Sequence, residues 1–203
     1  IEKVYRRADA LVGKIQEKLP KNTTFMVMSD HGFHTFRRGV NLNTWLVQHG
    51  YMVFDGQESP KKGLDDLFGR GQFWEGVDWT RTRAYAVGLG QIYFNLRGRE
   101  SRGIVSPGAE YDALQKEISE ALAKELDPDD QAQIFRSVYK RDDIDKGEFL
   151  RNAPDLQVGF NDGYRVGWQD TMGGVQRTFV ENNNRKWSGD HCATATEISG
   201  GVL

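Results

Sequence analysis

The spacing of apolar residues at the start of the chain predicts a helix followed by a buried strand. Five apolar residues recur at helical intervals with charged residues between them, and Pro20 ends the segment. They are Val4, Ala8, Leu11, Ile15 and Leu19. After a short polar loop, residues 24–28 are mostly apolar and predict a strand. A helix, a tight loop and a strand in this order are typical of a parallel α/β sheet.

The same patterns predict further elements along the chain. A helix is expected at about 42–49, between a cap at Asn41 or Asn43 and Gly50, and a short strand is expected at 51–54. Alternation of apolar and polar residues predicts two strands within 83–96. A further helix is predicted to be entered at Ser106-Pro107-Gly108 and to end before Pro128, with an apolar stripe of Leu114, Ile118, Leu122 and Leu126. Strands are predicted near 133–139 and 155–160, and a flexible glycine-rich segment at 163–174. Residues 55–78 read as an irregular excursion, and about 55–100 as a cap or antiparallel insertion.

Two short motifs carry candidate chemistry. Ser29-Asp30-His31-Gly32 directly follows the predicted strand 24–28, and Gly189-Asp190-His191 lies near the other end of the chain. In a parallel α/β sheet, ligands gather beyond the carboxyl ends of the strands. A carboxylate and a neutral imidazole are both metal ligands near neutral pH. We therefore predict that Asp30, His31 and His191 bind a divalent metal, with Asp190 a weaker candidate.

Each candidate also has a purely structural interpretation. Asp30 could cap a turn and His31 could pack as a satisfied imidazole. Arg37 and Arg38 read first as solvated surface, with a substrate phosphate contact as the alternative. The other candidates are assigned structural roles: His34 and His49 in the scaffold or on the surface, and Trp187 packed under the His191 loop.

Composition limits the class of protein. The chain has 203 residues, 38% hydrophobic and 28% charged, which fits one α/β domain with a core, and its net charge is −2. This charge gives no sign of a nucleic-acid or membrane surface, and no apolar run approaches the ~20 residues that span a bilayer. A single cysteine, Cys192, excludes an internal disulfide framework, and no spacing marks it as a nucleophile. Ile1 already lies within the first predicted helix, so we expect a fragment of a larger protein.

An ordered series of motifs resembles the type I phosphodiesterase and nucleotide pyrophosphatase branch of the alkaline phosphatase superfamily. The segments that carry the resemblance are 25–33, 37–46, 90–95, Gly98-Arg99-Glu100, 153–156 and 187–191. They extend over nearly the whole chain.

The resemblance implies an alkaline-phosphatase-like α/β fold with a mostly parallel sheet flanked by helices, and two divalent, zinc-like metal ions. Asp30 and His31 would hold the ion that also binds the nucleophile, and His191 would hold the second ion, which activates water. The reaction implied is phosphate-ester hydrolysis on a nucleotide-like substrate through a covalent phospho-enzyme.

The chain also departs from the family pattern. The family's nucleophile, the Asp beside it and a further Asp and His ligand pair lie upstream of the Ser-Asp-His-Gly motif, and none is found here. The sequence therefore resembles the C-terminal half of such an enzyme, whose missing N-terminal half would be its partner in the site. The alternatives are a sulfatase, a phosphonate hydrolase or a phosphoglycerate mutase of the same superfamily, or a non-catalytic α/β binding module.

Overall fold

The computed structural model describes residues 1–56, 74, 76–192, 195 and 197–201. These residues divide into two compact units, residues 1–31 with Gly201 and residues 32–200. Most of the predicted excursion at 55–78 lies outside the described residues, so its form stays a prediction. No described helix has the length and apolar character needed to span a membrane.

The first unit contains one helix, α1 (Glu2–Gln16), which confirms the helix predicted there. None of its side chains is buried. The strand predicted at 24–28 is wrong for this structure, because these residues form no strand and Met26, Val27 and Met28 are 53–68% exposed. A strand needs neighbouring strands to satisfy its backbone groups, and none of the described strands pairs with this segment.

The second unit contains two sheets and several helices. Its elements in chain order are β1 (His34–Val40), α2 (Leu42–Gln48), β2 (Ala84–Val87), β3 (Gln91–Phe94), α3 (Ala109–Leu122), β4 (Phe135–Lys140), α4 (Arg141–Ile144), a 3-10 turn (Leu150–Asn152), β5 (Leu156–Phe160), β6 (Gly163–Val166), α5 (Trp168–Thr171), β7 (Val180–Asn182) and β8 (Gly189–Asp190).

The pairing of strands in the two sheets differs from the predicted, mostly parallel topology. One sheet has the order β2-β3-β5-β4 and is antiparallel throughout. In the other, β1 pairs in parallel with β6 and antiparallel with β7 and β8. The fold is α/β as predicted, but among the described strands only β1 and β6 are parallel, so the sheet is not mostly parallel here. Of these pairs, β2–β3 is joined by a tight hairpin, which requires antiparallel pairing.

Several element predictions are confirmed and others are not. Helices α2 and α3, the hairpin β2–β3 and the strands β4 and β5 lie close to their predicted positions. Residues 51–54 form only an isolated bridge between Phe54 and Val77. The glycine-rich segment 163–174 is a strand and a short helix with buried side chains, where a flexible loop was predicted. The sequence also gave no prediction of β1.

The core lies in the second unit. The α3 helix presents one buried stripe, Tyr111, Leu114, Ile118 and Leu122, and the sheet contributes Ile92, Phe94, Leu156, Val158 and Phe160. The α2 helix buries Trp45 and Leu46 in the same cluster. Its N-cap residue, Asn41, makes no side-chain cap; the Asp170 carboxylate of α5 accepts the Asn43 N–H instead, at 2.7 Å. A carboxyl group from a segment far along the chain thus accepts an N–H group at the N-terminus of the helix that has no partner within the helix.

Candidate metal centre

Asp30 and His31 form a close pair in the first unit. Asp30 Oδ2 lies 3.3 Å from His31 Nε2, and their side chains are 87% and 39% exposed. This separation is close to that of two ligands on one zinc-like ion. The glycine that follows, Gly32, does not adopt a positive φ. It is required by a close approach instead, because a Cβ there would lie 2.5 Å from the Gly200 carbonyl oxygen.

His191 lies on the bend that follows β8 in the second unit. Its exposed ring stacks on Phe33 with 6.0 Å between ring centroids and 24° between ring planes. The Phe33 ring in turn lies against Gly189, where a Cβ would come within 2.4 Å of it. A side chain at 189 would displace this ring from its present position. The local sequence therefore fixes one side of the imidazole by aromatic packing.

Two neighbours of His191 add further donors. Ligand atoms of Asp190, His191 and Cys192 all lie within 4.8 Å of one another. Zinc binds carboxylate, imidazole and thiolate groups, so these residue types are ones that a zinc-like ion accepts as ligands. Burial, and then the nearby Asp190 carboxylate, raise the pKa of the Cys192 thiol. The sequence pattern had marked His191 and, more weakly, Asp190, but gave no reason to single out Cys192.

The Asp190 carboxylate is itself paired with a buried arginine. Its Oδ1 lies 3.3 Å from Arg165 Nη1, and the two side chains are only 4% and 3% exposed. Its Oδ2 accepts the backbone N–H of Cys192 at 3.1 Å. Burial lowers the pKa of Arg165, although the Asp190 charge opposes the shift. Sequence reasoning missed Arg165, because its segment was interpreted as a flexible loop.

Arg37 and Arg38, the predicted substrate contacts, lie on β1. The Arg37 side chain is exposed, whereas Arg38 is mostly buried and pairs with Asp127 and Asp129, with Nη2 2.6 Å from a carboxylate oxygen of each. Arg38 Nε also donates to Asp127 at 2.8 Å. These bonds outweigh burial and raise the pKa of Arg38. In this structure the Arg38 guanidinium is committed to the scaffold, and a substrate contact by either arginine stays a prediction.

Of the three other candidates, His34 and His49 have local partners. His34 Nδ1 is 3.0 Å from the Thr35 carbonyl oxygen, and His49 Nδ1 is 2.9 Å from that of Trp45, on whose ring it stacks. Both arrangements agree with the structural roles predicted for them. Trp187 is 59% exposed and so does not pack as expected.

The structure thus brings Asp30 together with His31 in one unit, and His191 together with Asp190 and Cys192 in the other. That both groups serve one pocket stays a prediction. The family model described as type I phosphodiesterase / nucleotide pyrophosphatase matches residues 1–191. No curated protein and no solved structure matches the chain.

Proposed function

Because the chain belongs to the type I phosphodiesterase/nucleotide pyrophosphatase family, we propose that it supplies metal ligands to a centre that hydrolyses phosphate esters. The observation that carries this proposal is the family match, which spans both Asp-His motifs in one alignment. The match favours this branch of the superfamily over sulfatases, phosphonate hydrolases and phosphoglycerate mutases.

In this proposal Asp30 and His31 hold one divalent, zinc-like ion and His191 helps to hold a second. Bound ions of this kind neutralise charge on the phosphoryl oxygens and lower the pKa of bound water. The Asp30–His31 pair is exposed, and its 3.3 Å contact places a carboxylate oxygen and an imidazole nitrogen close enough to bind one cation. The Phe33 ring holds the imidazole of His191 from one face and so limits its rotation.

We assign no nucleophile to this chain. By the family pattern, a Thr or Ser of the N-terminal part of the full-length protein attacks phosphorus and the ester oxygen leaves with a proton. Water then breaks the enzyme–phosphate bond and releases phosphate or its monoester. Substrates of the full-length protein would be nucleotide-like diesters or pyrophosphates. The 203-residue chain alone should therefore hydrolyse phosphate esters poorly or not at all.

The proposal is tested by zinc content and by hydrolysis of bis-p-nitrophenyl phosphate in the full-length protein. Asp30→Ala, His31→Ala and His191→Ala should each lower bound zinc and reduce kcat at least 100-fold, because a missing ligand removes transition-state charge stabilisation. Asp143→Ala, at an exposed aspartate, and His49→Ala are the matched controls and should keep the zinc content.

Full activity and full zinc in the three ligand variants would remove the assignment. A full-length protein that binds no divalent metal at all would favour the non-catalytic binding module. Rapid turnover by the pure, metal-loaded 203-residue chain would contradict the view that this chain lacks the nucleophile.

A further inference from the structure

Arg165 occupies an unusual place for an arginine. It lies in β6, its side chain is 3% exposed, and its partner carboxylate, Asp190, belongs to β8. Both strands pair with β1. The guanidinium reaches across the ring of Phe36 on β1, with its carbon 5.1 Å from the ring centroid, to meet Asp190.

The guanidinium is held by stacking as well as by hydrogen bonds. Its carbon lies 4.0 Å from the ring centroid of Trp168, and Nε donates to the Val166 carbonyl oxygen at 2.9 Å. A planar guanidinium stacks on aromatic rings in a way that a lysine ammonium does not. These contacts restrict Arg165 to one orientation, in which Nη1 faces Asp190.

Stability alone does not account for this buried pair. Moving two charges out of water costs several kcal/mol per ion, and apolar side chains of similar volume often replace such pairs without loss of stability. The pair holds the Asp190 side chain in place at the end of a very short strand, since β8 contains only Gly189 and Asp190.

The anchored Asp190 carboxylate holds the residues on both sides of His191. The Asp190 carboxylate is anchored by Arg165 through Oδ1 and binds the Cys192 N–H through Oδ2. The residues before and after His191 are therefore tied to one buried carboxylate. Since both carboxylate oxygens already have partners, Asp190 is better suited to orienting His191 than to binding a metal ion itself.

We propose that Arg165 is a positioning residue for His191: through Asp190 it holds the 190–192 turn in the geometry that presents the imidazole to a divalent cation. This inference rests on the proposed function, in which His191 is a metal ligand. Residues that orient a metal ligand typically contribute 10–100-fold to metal affinity. We expect the same scale here.

The test is a zinc titration of the full-length protein against a chromophoric chelator, with thermal unfolding measured in parallel. His191→Ala defines the zinc equivalent that depends on this residue. Arg165→Gln should lower the affinity for that zinc ion about 10–100-fold and leave the affinity for the other zinc ion unchanged. Arg165→Lys should give a smaller loss, because the charge is kept and the stacking is not.

The matched control is Arg99→Gln, which also breaks an arginine pair with a fully buried aspartate, Asp155. It should lower the melting temperature as Arg165→Gln does but leave both zinc affinities unchanged. Adding Asp190→Asn to Arg165→Gln should recover part of the lost affinity. The amide needs no cation, and its oxygen can still accept the Cys192 N–H.

Wild-type zinc affinity in Arg165→Gln, with one equivalent lost in His191→Ala, would overturn the positioning role and leave the proposed function intact. No loss of zinc in His191→Ala would instead overturn the ligand assignment itself. If Arg165→Gln does not fold, the lysine variant and the double variant decide, and wild-type affinity in both would contradict the inference.

Discussion

At the scale of single residues, Asp170 shows how burial changes a side chain's chemistry. Its carboxyl group is 1% exposed and faces the backbone N–H groups of Leu42 and Asn43. Burial raises the pKa of Asp170 to about 8, although these N–H groups oppose the shift. In the unfolded chain the same group ionises near its ordinary value, about 3.9.

This difference predicts a pH-dependent stability. Between about pH 4 and 8 the folded protein retains a proton that the unfolded chain has lost, so the free energy of unfolding should fall as pH rises. The contribution is complete below pH 4 and disappears above pH 8. Asp170→Asn, which does not titrate, should remove this slope in urea unfolding measured at several pH values.

The control for this experiment is Asp143→Asn, at an exposed aspartate of α4, which should keep the wild-type slope. Parallel pH profiles for the wild type and Asp170→Asn would show that Asp170 is ionised in the folded state.

The role of a single residue can be predicted from the sequence when the residues that reveal this role are its neighbours along the chain. Asp30, His31 and His191 stand in short motifs and can be identified from the printed sequence. Arg165 and Asp170 cannot, because each acquires its role from a partner in a distant segment. No periodicity or motif records such a contact.

At the scale of elements, the two long helices have opposite relations to the core. The α3 helix buries Ile118 completely, whereas Leu11 in α1 is 58% exposed. Ile118→Ala should therefore lower the free energy of unfolding by about 2–5 kcal/mol through the cavity it leaves. Leu11→Ala should change it by less than about 0.5 kcal/mol.

Tryptophan fluorescence during urea unfolding measures both variants, because all five tryptophans follow residue 31 and so report on the second unit. Equal losses from the two substitutions would mean that α1 contributes to the stability of the second unit.

Elements were predictable where their own periodicity was strong. The α1 and α3 helices and the β2–β3 hairpin follow from apolar spacing, and α2 follows from the residues expected at its two ends. The β1 strand carries three charged or imidazole side chains and a glycine among seven residues, so its pattern is weak and its pairing with β6, β7 and β8 makes it a strand. For 24–28 the opposite holds, since a strong apolar pattern has no strand beside it among those described.

At the scale of the whole molecule, the division into two units predicts where a protease first acts. No residue in 1–31 is classed as buried, whereas the second unit contains the hydrophobic core. Limited trypsin digestion of the native chain should therefore cut after Lys18 and Lys21 before it cuts after Arg99 or Arg165.

Mass spectrometry of timed samples identifies the order of these cuts. Urea-unfolded chain is the control and should show no preference for the first segment. Early cuts after Arg99 or Arg165 in the native chain would contradict the assignment of the stable core to residues 32–200.

The carboxylate that completes the N-terminus of α2 also has a consequence for the order of folding. Asn43 and Asp170 are 127 positions apart, so their hydrogen bond closes a very long loop of chain. During synthesis on a ribosome, α2 emerges before Asp170, so the N–H of Asn43 lacks this partner until a further 127 residues have been added. The cap of the helix is therefore completed well after the helix itself has been made.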